Sequence, residues 1–307
     1  MRRSFSEEMA CCRCCPRECG VNRLRGETGF CRTGSGIPVA HIGLHFGEEP
    51  PISGSRGSGT IFFAGCNLRC VFCQNHQISQ EFQRGSVRTL SPRELADEMQ
   101  RLEKAGAHNI NLVSPSHLIF HLADAISIAR NRGLTLPIVY NSNGYDSVAA
   151  LREIRGLIDI FLPDLKYLDE DAARGLSAAG DYARIVPGVL GEMFAQVGPL
   201  VLDEAGSARR GLLVRHLVLP GHLENSRSCL RFLAGFSRDL PVSIMSQYSP
   251  QFRAGDYPRI NRTLSEEEYE SIIDCALELG LENAFVQECG SQQEYLPDFS
   301  RTDPFQA

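Results

Sequence analysis

Lysine is nearly absent from this chain, and long apolar runs are missing. Of the 31 basic residues, all but Lys104 and Lys166 are arginine, so a lysine inside an apolar motif is unusual here. No apolar run approaches the roughly 20 residues that a membrane-spanning helix needs. The N-terminus carries arginines but lacks the apolar segment of a secretory signal. We therefore expect a cytoplasmic protein that does not enter a membrane.

The net charge and the length of the chain narrow the possible classes of protein further. A formal net charge of −6 argues against wholesale binding to nucleic acid. A chain of 307 residues with 43% apolar residues can bury a full core, with room for one barrel-sized domain and an appendage. Its 12 cysteines cluster at short spacings, which in a reducing compartment indicates metal ligation rather than a disulfide scaffold.

An alternation of short apolar runs and amphipathic stretches fills the chain from about residue 58 onward. Capping boxes predict helices that begin after Ser91 and Ser265. Strand–helix units in series predict a parallel sheet with right-handed crossovers. The predicted strands are 60–64, 109–113, 137–141, 158–162, 213–219 and 241–246.

Six such units fall short of the eight of a closed barrel. We therefore predict an α/β fold with a partial (β/α)6 TIM-like barrel over residues 58–307. Residues 1–57 would form a small N-terminal Cys-rich metal-binding lobe and its connector. At the boundary between the two parts, the Gly-, Ser- and Pro-rich stretch 48–59 is interpreted as a surface connection into the main domain.

Three cysteines follow the first predicted strand, Cys66, Cys70 and Cys73, with the spacing C-x3-C-x2-C. In parallel β/α folds, functional residues follow the carboxyl ends of the strands. A structural zinc site takes four protein ligands, whereas a [4Fe–4S] cluster on three cysteines keeps one iron open to a small molecule. The pattern favours the cluster, and the alternative is a zinc site completed by His76.

This motif, with Phe72 just before the last cysteine, resembles the signature of the radical S-adenosylmethionine (SAM) superfamily. The resemblance implies a [4Fe–4S] cluster whose open iron binds SAM. It also implies reductive cleavage of SAM to a 5′-deoxyadenosyl radical, which abstracts hydrogen from a substrate.

Two further motifs resemble the activating enzymes of the pyruvate formate-lyase type. The run YNSNGY resembles their third-strand turn, with Asn141 in place of an aspartate. The run LPDLK resembles their fourth-strand motif, whose lysine meets the SAM carboxylate. The resemblance therefore implies Asn143, Asp164 and Lys166 as cofactor-binding residues. His216, in the fifth predicted strand, is interpreted as a hydrogen-bonded structural histidine.

The second predicted strand ends differently from the superfamily pattern. Where a Gly-Gly-Glu turn is usual, this chain has LVSPSH, so Ser114 and Ser116 are our candidates to bind the SAM amine. The letters GEEP, at 47–50, resemble the missing turn but precede the first predicted strand. We therefore interpret them as unrelated to it.

The N-terminal cysteines predict a second metal site. Cys12, Cys15, Cys19 and Cys31 are spaced C-x2-C-x3-C-x11-C, enough for a closed four-thiolate site, although Cys11 and Cys14 leave the register open. Four sulfurs suit a structural zinc or an auxiliary [4Fe–4S] cluster, and a third possibility is no metal at all. The isolated cysteines are predicted to be buried free thiols, namely Cys229, Cys275 and Cys289.

The resemblance implies a radical SAM oxidoreductase that acts on a backbone glycine of a partner, which is a glycyl radical enzyme or another protein substrate. It also implies an electron donor such as flavodoxin or ferredoxin. One alternative is a radical SAM enzyme acting on a small molecule or peptide. An alternative of another class is a non-catalytic metal-binding interaction protein on a degenerate barrel.

Overall fold

A computed structural model describes residues 5–82, 87–288 and 296–305. The strands are β1 (Ile37–His45), β2 (Ser58–Phe63), β3 (Arg88–Leu90), β4 (Ile110–Val113), β5 (Ile138–Ser142), β6 (Ile160–Pro163), β7 (Val201–Leu202), β8 (Ala208–Leu212), β9 (Val214–Leu217), β10 (Val242–Met245) and β11 (Ala284–Val286). The α-helices are α1 (Phe5–Ala10), α2 (Pro50–Ser53), α3 (His76–Ser79), α4 (Pro92–Lys104), α5 (Ile119–Asn131), α6 (Val148–Glu153), α7 (Glu170–Ser177), α8 (Tyr182–Val197), α9 (Leu223–Phe236) and α10 (Glu266–Glu278). Within these residues, no helix is both long and apolar enough to cross a membrane.

The central sheet is mostly parallel. Among the described residues its strand order is β3-β1-β2-β4-β5-β6-β8-β7, and the neighbours from β2 to β8 run parallel. The parallel strands β9, β10 and β11 continue it, because Leu165 N donates to Arg215 O (2.8 Å) across the seam between β6 and β9. Antiparallel pairs occur at the edges, where β1 pairs with β2 and β3, and β7 with β8. The result is a mixed α/β fold, consistent with a partial barrel.

The predicted strands coincide with β2, β4, β5, β6, β9 and β10. Strands β8 and β11 are parallel strands that the sequence did not predict, so the count of six units is not confirmed. Both predicted capping boxes are confirmed, that of Ser91 with Glu94 and that of Ser265 with Glu268. Strand β1 was not predicted, and it pairs with β2 across the proposed boundary at residue 57, which stays a prediction.

The two faces of the sheet bury different apolar sets. On the outer face, side chains such as Leu112 and Phe161 pack in the large core shared with the helices. On the inner face, Val139, Ile160 and Leu162 pack around Ile52 of α2. This alternation follows from the period of two along a strand, and it places α2 inside the barrel.

The interpretation of residues 48–59 as a surface connection is therefore wrong for its first half. Glu48 and Glu49 are almost fully buried, and Ile52 is completely buried. Within the stretch, Pro50 and the turn 54–56 are exposed. The apolar helix α2 occupies part of the barrel interior because the inner faces of the strands need apolar side chains to pack against.

We predict that Ile52→Ala lowers the free energy of unfolding by about 2–5 kcal/mol, because the change leaves a cavity among the inner side chains. Equilibrium unfolding in urea, followed by circular dichroism, measures the change. The control is Leu277→Ala, whose side chain is 61% exposed and which should change stability by at most about 0.5 kcal/mol. Equal losses in the two variants would contradict the placement of α2 inside the barrel.

Candidate active site

The Cys66–Cys73 loop begins at a glycine that no other residue can replace. Gly65 has φ +83°, and a Cβ there would lie 2.5 Å from the Cys31 carbonyl oxygen. A positive φ favours glycine, and the close contact leaves no space for a side chain. Further along, Val71 N donates to Leu176 O (2.9 Å) in α7. The loop is thus fixed between the N-terminal segment and α7.

Each thiol of the loop has a hydrogen-bonding neighbour. The contacts are Asn143 Nδ2 to Cys66 Sγ (3.4 Å), Ser177 Oγ to Cys70 Sγ (3.0 Å) and Ser79 Oγ with Cys73 Sγ (3.3 Å). Burial raises the pKa of Cys66 to about 11 and that of Cys73 to about 12. Thiols in such a setting become thiolates when they coordinate a metal centre, whose positive charge outweighs burial. The neighbouring donors then bond to the sulfur.

A cavity of about 610 Å³ lies beside this loop, inside the barrel. This volume is within the range of small-molecule sites. Its lining includes Cys70 and Cys73 together with Asp164, Lys166 and Arg215. The residues after β6 and the strand β9 therefore bring charged side chains to the same space as the thiols.

The charged groups of the cavity form one connected network. Arg215 Nε donates to Asp164 Oδ1 (2.9 Å), and Lys166 Nζ donates to Asp164 Oδ2 (2.7 Å). Arg215 Nη2 donates to Asn141 Oδ1 (2.6 Å), and Arg215 Nη1 lies 3.2 Å from Glu48 Oε2. Asn141, which replaces the aspartate of the activating enzymes, thus accepts a hydrogen bond from a guanidinium.

Burial and pairing oppose each other in this network. Burial alone would raise the pKa of Asp164, but Arg215 and Lys166 outweigh it and the pKa is lowered. Burial alone would lower the pKa of Lys166, but the Asp164 carboxylate raises it. Burial raises the pKa of Glu48, and Arg215 offsets only part of this rise. Asp164 and Lys166 are therefore a charged pair at neutral pH.

Comparison with known proteins places these features in a family. The profile of the radical SAM superfamily matches residues 60–194, which include the cysteine loop and Lys166. The chain belongs to the radical SAM superfamily. It is 31% identical over 279 residues to "Uncharacterized protein MJ0674" of Methanocaldococcus jannaschii, an alignment that covers 88% of this chain and 75% of the relative. It is 24% identical over 298 residues to "Uncharacterized protein MJ0808" of the same organism, which covers 90% of this chain and 80% of that relative.

Membership of the radical SAM superfamily implies a [4Fe–4S] cluster and SAM, and the chemistry of the site fits both. Three thiols in one loop can anchor three irons and leave the fourth open. The adjoining cavity carries an ammonium, Lys166, that suits a carboxylate, and a carboxylate, Asp164, that suits hydrogen-bond donors. A radical SAM enzyme is accordingly what the residues support.

The serines proposed for the SAM amine lie at the predicted turn after β4, and they point in different directions. Ser114 is half-buried with φ +59°, a left-handed conformation that glycine adopts more readily. Ser116 is buried beside Asp146 and Tyr140, on the outer face of the sheet. The structure therefore does not bring Ser116 to the cavity, and the role of Ser114 stays a prediction.

Three other residues singled out in the sequence have well-defined partners. Asn143 contacts Cys66, as described, and also donates to Asn67 Oδ1 (2.8 Å). His76 Nδ1 lies 2.7 Å from Glu81 Oε2, so this ring nitrogen contacts a carboxylate rather than a thiol of the cysteine loop. His216 is fully buried, and its ring nitrogens contact Leu165 O (2.7 Å) and Ser226 Oγ (2.9 Å). His216 is thus a hydrogen-bonded structural histidine, as predicted.

Sequence reasoning missed Arg215, Glu48 and Glu49 as cavity residues. A signal for Arg215 exists, because alternation along 213–219 puts it on the same face as Leu213, which packs inside the barrel. For Glu48 the sequence signal is the GEEP run, whose interpretation as unrelated to the turn after the second parallel strand does not hold for Glu48. Glu48, the first glutamate of this run, lies against β4, the second parallel strand. There, Asn111 Nδ2 donates to Glu48 Oε1 (2.9 Å).

The N-terminal thiols lie together. Cys12, Cys14, Cys15 and Cys31 are buried and Cys19 is half-buried, whereas Cys11 is exposed. Cys12 Sγ lies 3.8 Å from Cys14 Sγ, so Cys14 belongs to the group and the register stays open. Burial, with nearby Cys31, Cys12 and Cys19, raises the pKa of Cys15 to about 12.

A buried arginine accompanies these thiols. Arg23 is 1% exposed, and it donates to Cys31 Sγ (3.5 Å) and to His117 O (2.9 Å). The hydrogen bond between Cys12 and Cys14, together with the charge of Arg23, outweighs burial and lowers the pKa of Cys12 to about 5. The surroundings thus favour thiolate, the form that binds metals, at Cys12, whereas the pKa values of Cys14 and Cys15 are raised.

Among the described residues, no three His, Cys, Asp or Glu side chains converge closely enough to hold a single metal ion. In an iron–sulfur cluster the thiolates bind separate irons, so they need not converge on one point. Zinc and an auxiliary cluster both stay predictions for the N-terminal thiols. Of the isolated cysteines, Cys229 is buried and Cys275 half-buried, while Cys289 lies outside the described residues.

We predict that Lys166→Ala weakens SAM binding about ten- to a hundredfold, because a charge-assisted contact is worth about 1.5–3 kcal/mol. Anaerobic equilibrium dialysis with SAM measures the affinity, and iron content should stay near that of the parent protein. The matched control is Lys104→Ala, since the chain's other lysine is exposed at the end of α4. An unchanged dissociation constant in Lys166→Ala would exclude a direct contact with SAM.

Metal analysis of a Cys15→Ser/Cys19→Ser variant decides between the two metals. A zinc site predicts one zinc beside about four irons in the parent protein, and loss of the zinc alone in the variant. An auxiliary cluster predicts about eight irons, of which the variant loses about half. About four irons, no zinc and no change in the variant would leave these cysteines without a metal role.

Proposed function

We propose that this radical SAM enzyme reductively cleaves SAM and abstracts hydrogen from a backbone glycine of a partner enzyme. When bound, the cluster and SAM together supply a 5′-deoxyadenosyl radical. The residues of this chain do the rest: they anchor the cluster, orient SAM and hold the substrate next to it.

The observation that carries this proposal is the Lys166–Asp164 pair in the same cavity as Cys70 and Cys73. A protonated lysine beside an open iron site can hold the SAM carboxylate while the cluster holds the rest of the methionine group. The pairing with Asp164 keeps Lys166 charged even though it is buried. The support for a glycine target is the similarity of the YNSNGY and LPDLK motifs to activating enzymes.

Residues near the C-terminus line the cavity and affect how a substrate enters it. Phe305 and Pro297 line the cavity, and Phe305 packs on Phe62 with ring centroids 5.3 Å apart. Phe299 N donates to Gln77 Oε1 (2.8 Å) beside the cysteine loop. Because this segment lines the cavity, we infer that a target glycine would reach it on an extended loop.

A second candidate function is hydrogen abstraction from a small molecule or free peptide. The observation that favours it is the polar interior, where Glu48, Glu49 and Arg215 line the cavity. A backbone glycine does not need such charges, whereas a substrate with its own charged groups does. Comparing 5′-deoxyadenosine formation with and without added glycyl radical enzyme separates the two candidates.

We predict that alanine at any one of Cys66, Cys70 or Cys73 abolishes 5′-deoxyadenosine formation, because two thiolates cannot anchor the cluster. The assay is anaerobic incubation with dithionite and SAM, followed by chromatography. The matched control is Cys275→Ala, a half-buried thiol on α10, which should retain activity. A parent protein that binds iron but forms no 5′-deoxyadenosine would favour the non-catalytic, metal-binding alternative.

A further inference from the structure

Glu49 is a buried carboxylate of the cavity whose hydrogen-bonding capacity is only partly used. It lines the cavity together with Arg215 and Ser243, and it is 9% exposed. The Ser243 hydroxyl donates a hydrogen bond to its carboxylate. The Oε2 atom of Glu49, however, has no hydrogen-bond partner among the described residues. A buried carboxylate oxygen without a donor is costly, so it indicates a group that the cavity receives from outside.

The cations of the cavity are bonded to other groups. The guanidinium of Arg215 donates to Asp164, Asn141 and Glu48. Lys166 is bonded to Asp164. In the part of the chain that the structure describes, no ion pair includes Glu49. Burial outweighs the attraction of Arg215 and raises the pKa of Glu49. The ionised form of Glu49 therefore needs one more cation.

Glu49 and Ser243 lie deeper in the barrel than the cysteine loop. Ser243 pairs with Arg215 in the neighbouring strand and lies two residues before Met245, at which β10 ends. Two residues along a strand span about 7 Å. The cysteine loop follows the carboxyl end of β2, at the same edge of the barrel as Met245. The pair therefore marks the deep end of the cavity, next to the apolar layer around Ile52.

The acceptors at this deep end suit a compact cation with several donors. The Ser243 hydroxyl, which donates to Glu49, still has lone pairs that accept hydrogen bonds. The last side-chain torsion of a glutamate is broad, so Oε2 of Glu49 can turn toward a ligand at little cost. An alkylammonium has three donors and can bond to both residues, whereas a planar guanidinium matches two free oxygens of one carboxylate. A neutral donor would satisfy Oε2 without balancing the charge.

We propose that Glu49, with Ser243, binds an alkylammonium group of the substrate at the deep end of the cavity. This inference rests on the proposed function, because it names a group of the substrate from which hydrogen is abstracted. The ammonium has two sources with the same chemistry, a lysine side chain beside the target glycine and a free small-molecule amine. In both, the ammonium stands at the end of a flexible chain, so the reacting carbon can lie nearer the cysteine loop.

The amine of SAM is the competing occupant of Glu49. The proposed function assigns the methionine group of SAM to the cluster and to Lys166, which follows the end of β6. Glu49 and its partner Ser243 lie about one layer of side chains deeper, which leaves them for the substrate. Measuring SAM affinity beside substrate-like probes distinguishes the two occupants.

The test compares two probes that differ in charge and not in shape. 5-Aminopentanamide ends in an ammonium, and hexanamide has a methyl group in the same place. Ligand-observed NMR titration of the full-length, iron-loaded protein at neutral pH should show at least about tenfold tighter binding of the ammonium probe. In Glu49→Gln this preference should fall to about twofold or less. Equal binding of the two probes to the parent protein, or binding of neither, would overturn the proposal.

The controls separate a lost charge contact from a folding defect. A folding defect in Glu49→Gln would weaken both probes alike, whereas loss of the contact weakens only the ammonium probe. Ser243→Ala, with an unchanged melting temperature, should lose part of the preference. Glu278→Gln makes the same change of net charge at an exposed position of α10 and should keep the full preference.

Two results in the variants would contradict the assignment. A preference that survives unchanged in both Glu49→Gln and Ser243→Ala would show that other groups bind the ammonium. A loss of SAM affinity in Glu49→Gln as large as the loss for 5-aminopentanamide would assign Glu49 to SAM instead of the substrate.

A second pair of probes identifies the source of the ammonium. It consists of a capped peptide with lysine next to glycine and the same peptide with norleucine in place of lysine. A preference for lysine larger than that for 5-aminopentanamide supports a side chain beside the target glycine, and the reverse supports a free amine. These measurements need no reductant. If the parent protein forms no 5′-deoxyadenosine with dithionite and SAM, the proposed function fails, whereas the binding preference still stands.

Discussion

The buried guanidinium of Arg215 is the interaction on which the site depends. It bonds to Asp164 after β6, to Asn141 of β5 and to Glu48 ahead of α2, and so joins three parts of the barrel at the seam between the two sheets. A lone ion in this position would lose several kcal/mol of hydration, so its carboxylate partners are required. Because Arg215 holds one oxygen of Asp164, the other oxygen points to Lys166. The lysine that faces the cavity is therefore oriented from across the barrel.

The sequence predicts the strands well because the parallel sheet is built from short apolar runs with helical stretches between them. It also predicts the thiol loop and Lys166, since both lie in short motifs whose residue types and spacing indicate a chemical role. Arg215 could have been predicted from alternation, given the inward position of Leu213. Ser116 shows the limit of motif reasoning, because the short helical turn at Ser116–Leu118 carries its hydroxyl to the outer face of the sheet.

The burial of Glu48 and Ile52 could not be predicted from local sequence. Glycine, proline and serine around them are typical of surface loops. Their burial arises because β1 pairs antiparallel with β2 and thereby delivers the following residues into the barrel interior. That pairing depends on contacts between distant residues, and no local period encodes it. The close contact of Gly65 with the Cys31 carbonyl is likewise visible only once the N-terminal segment lies against the loop.

The charged groups that face the cavity differ in their electrostatic support. Asp164 is paired with Arg215 and Lys166, and these cations lower its pKa, whereas burial raises the pKa of both Glu48 and Glu49. The groups whose partners favour the ionised form are therefore one carboxylate and two cations. Of the two cations, Arg215 is bonded to Asp164 and lies 3.2 Å from Glu48 Oε2, while Lys166 follows the end of β6 in the same cavity as Cys70 and Cys73. Lys166 is thus placed to meet an anionic group, such as the carboxylate of SAM, because a charge-assisted hydrogen bond to a buried ammonium is among the stronger polar contacts.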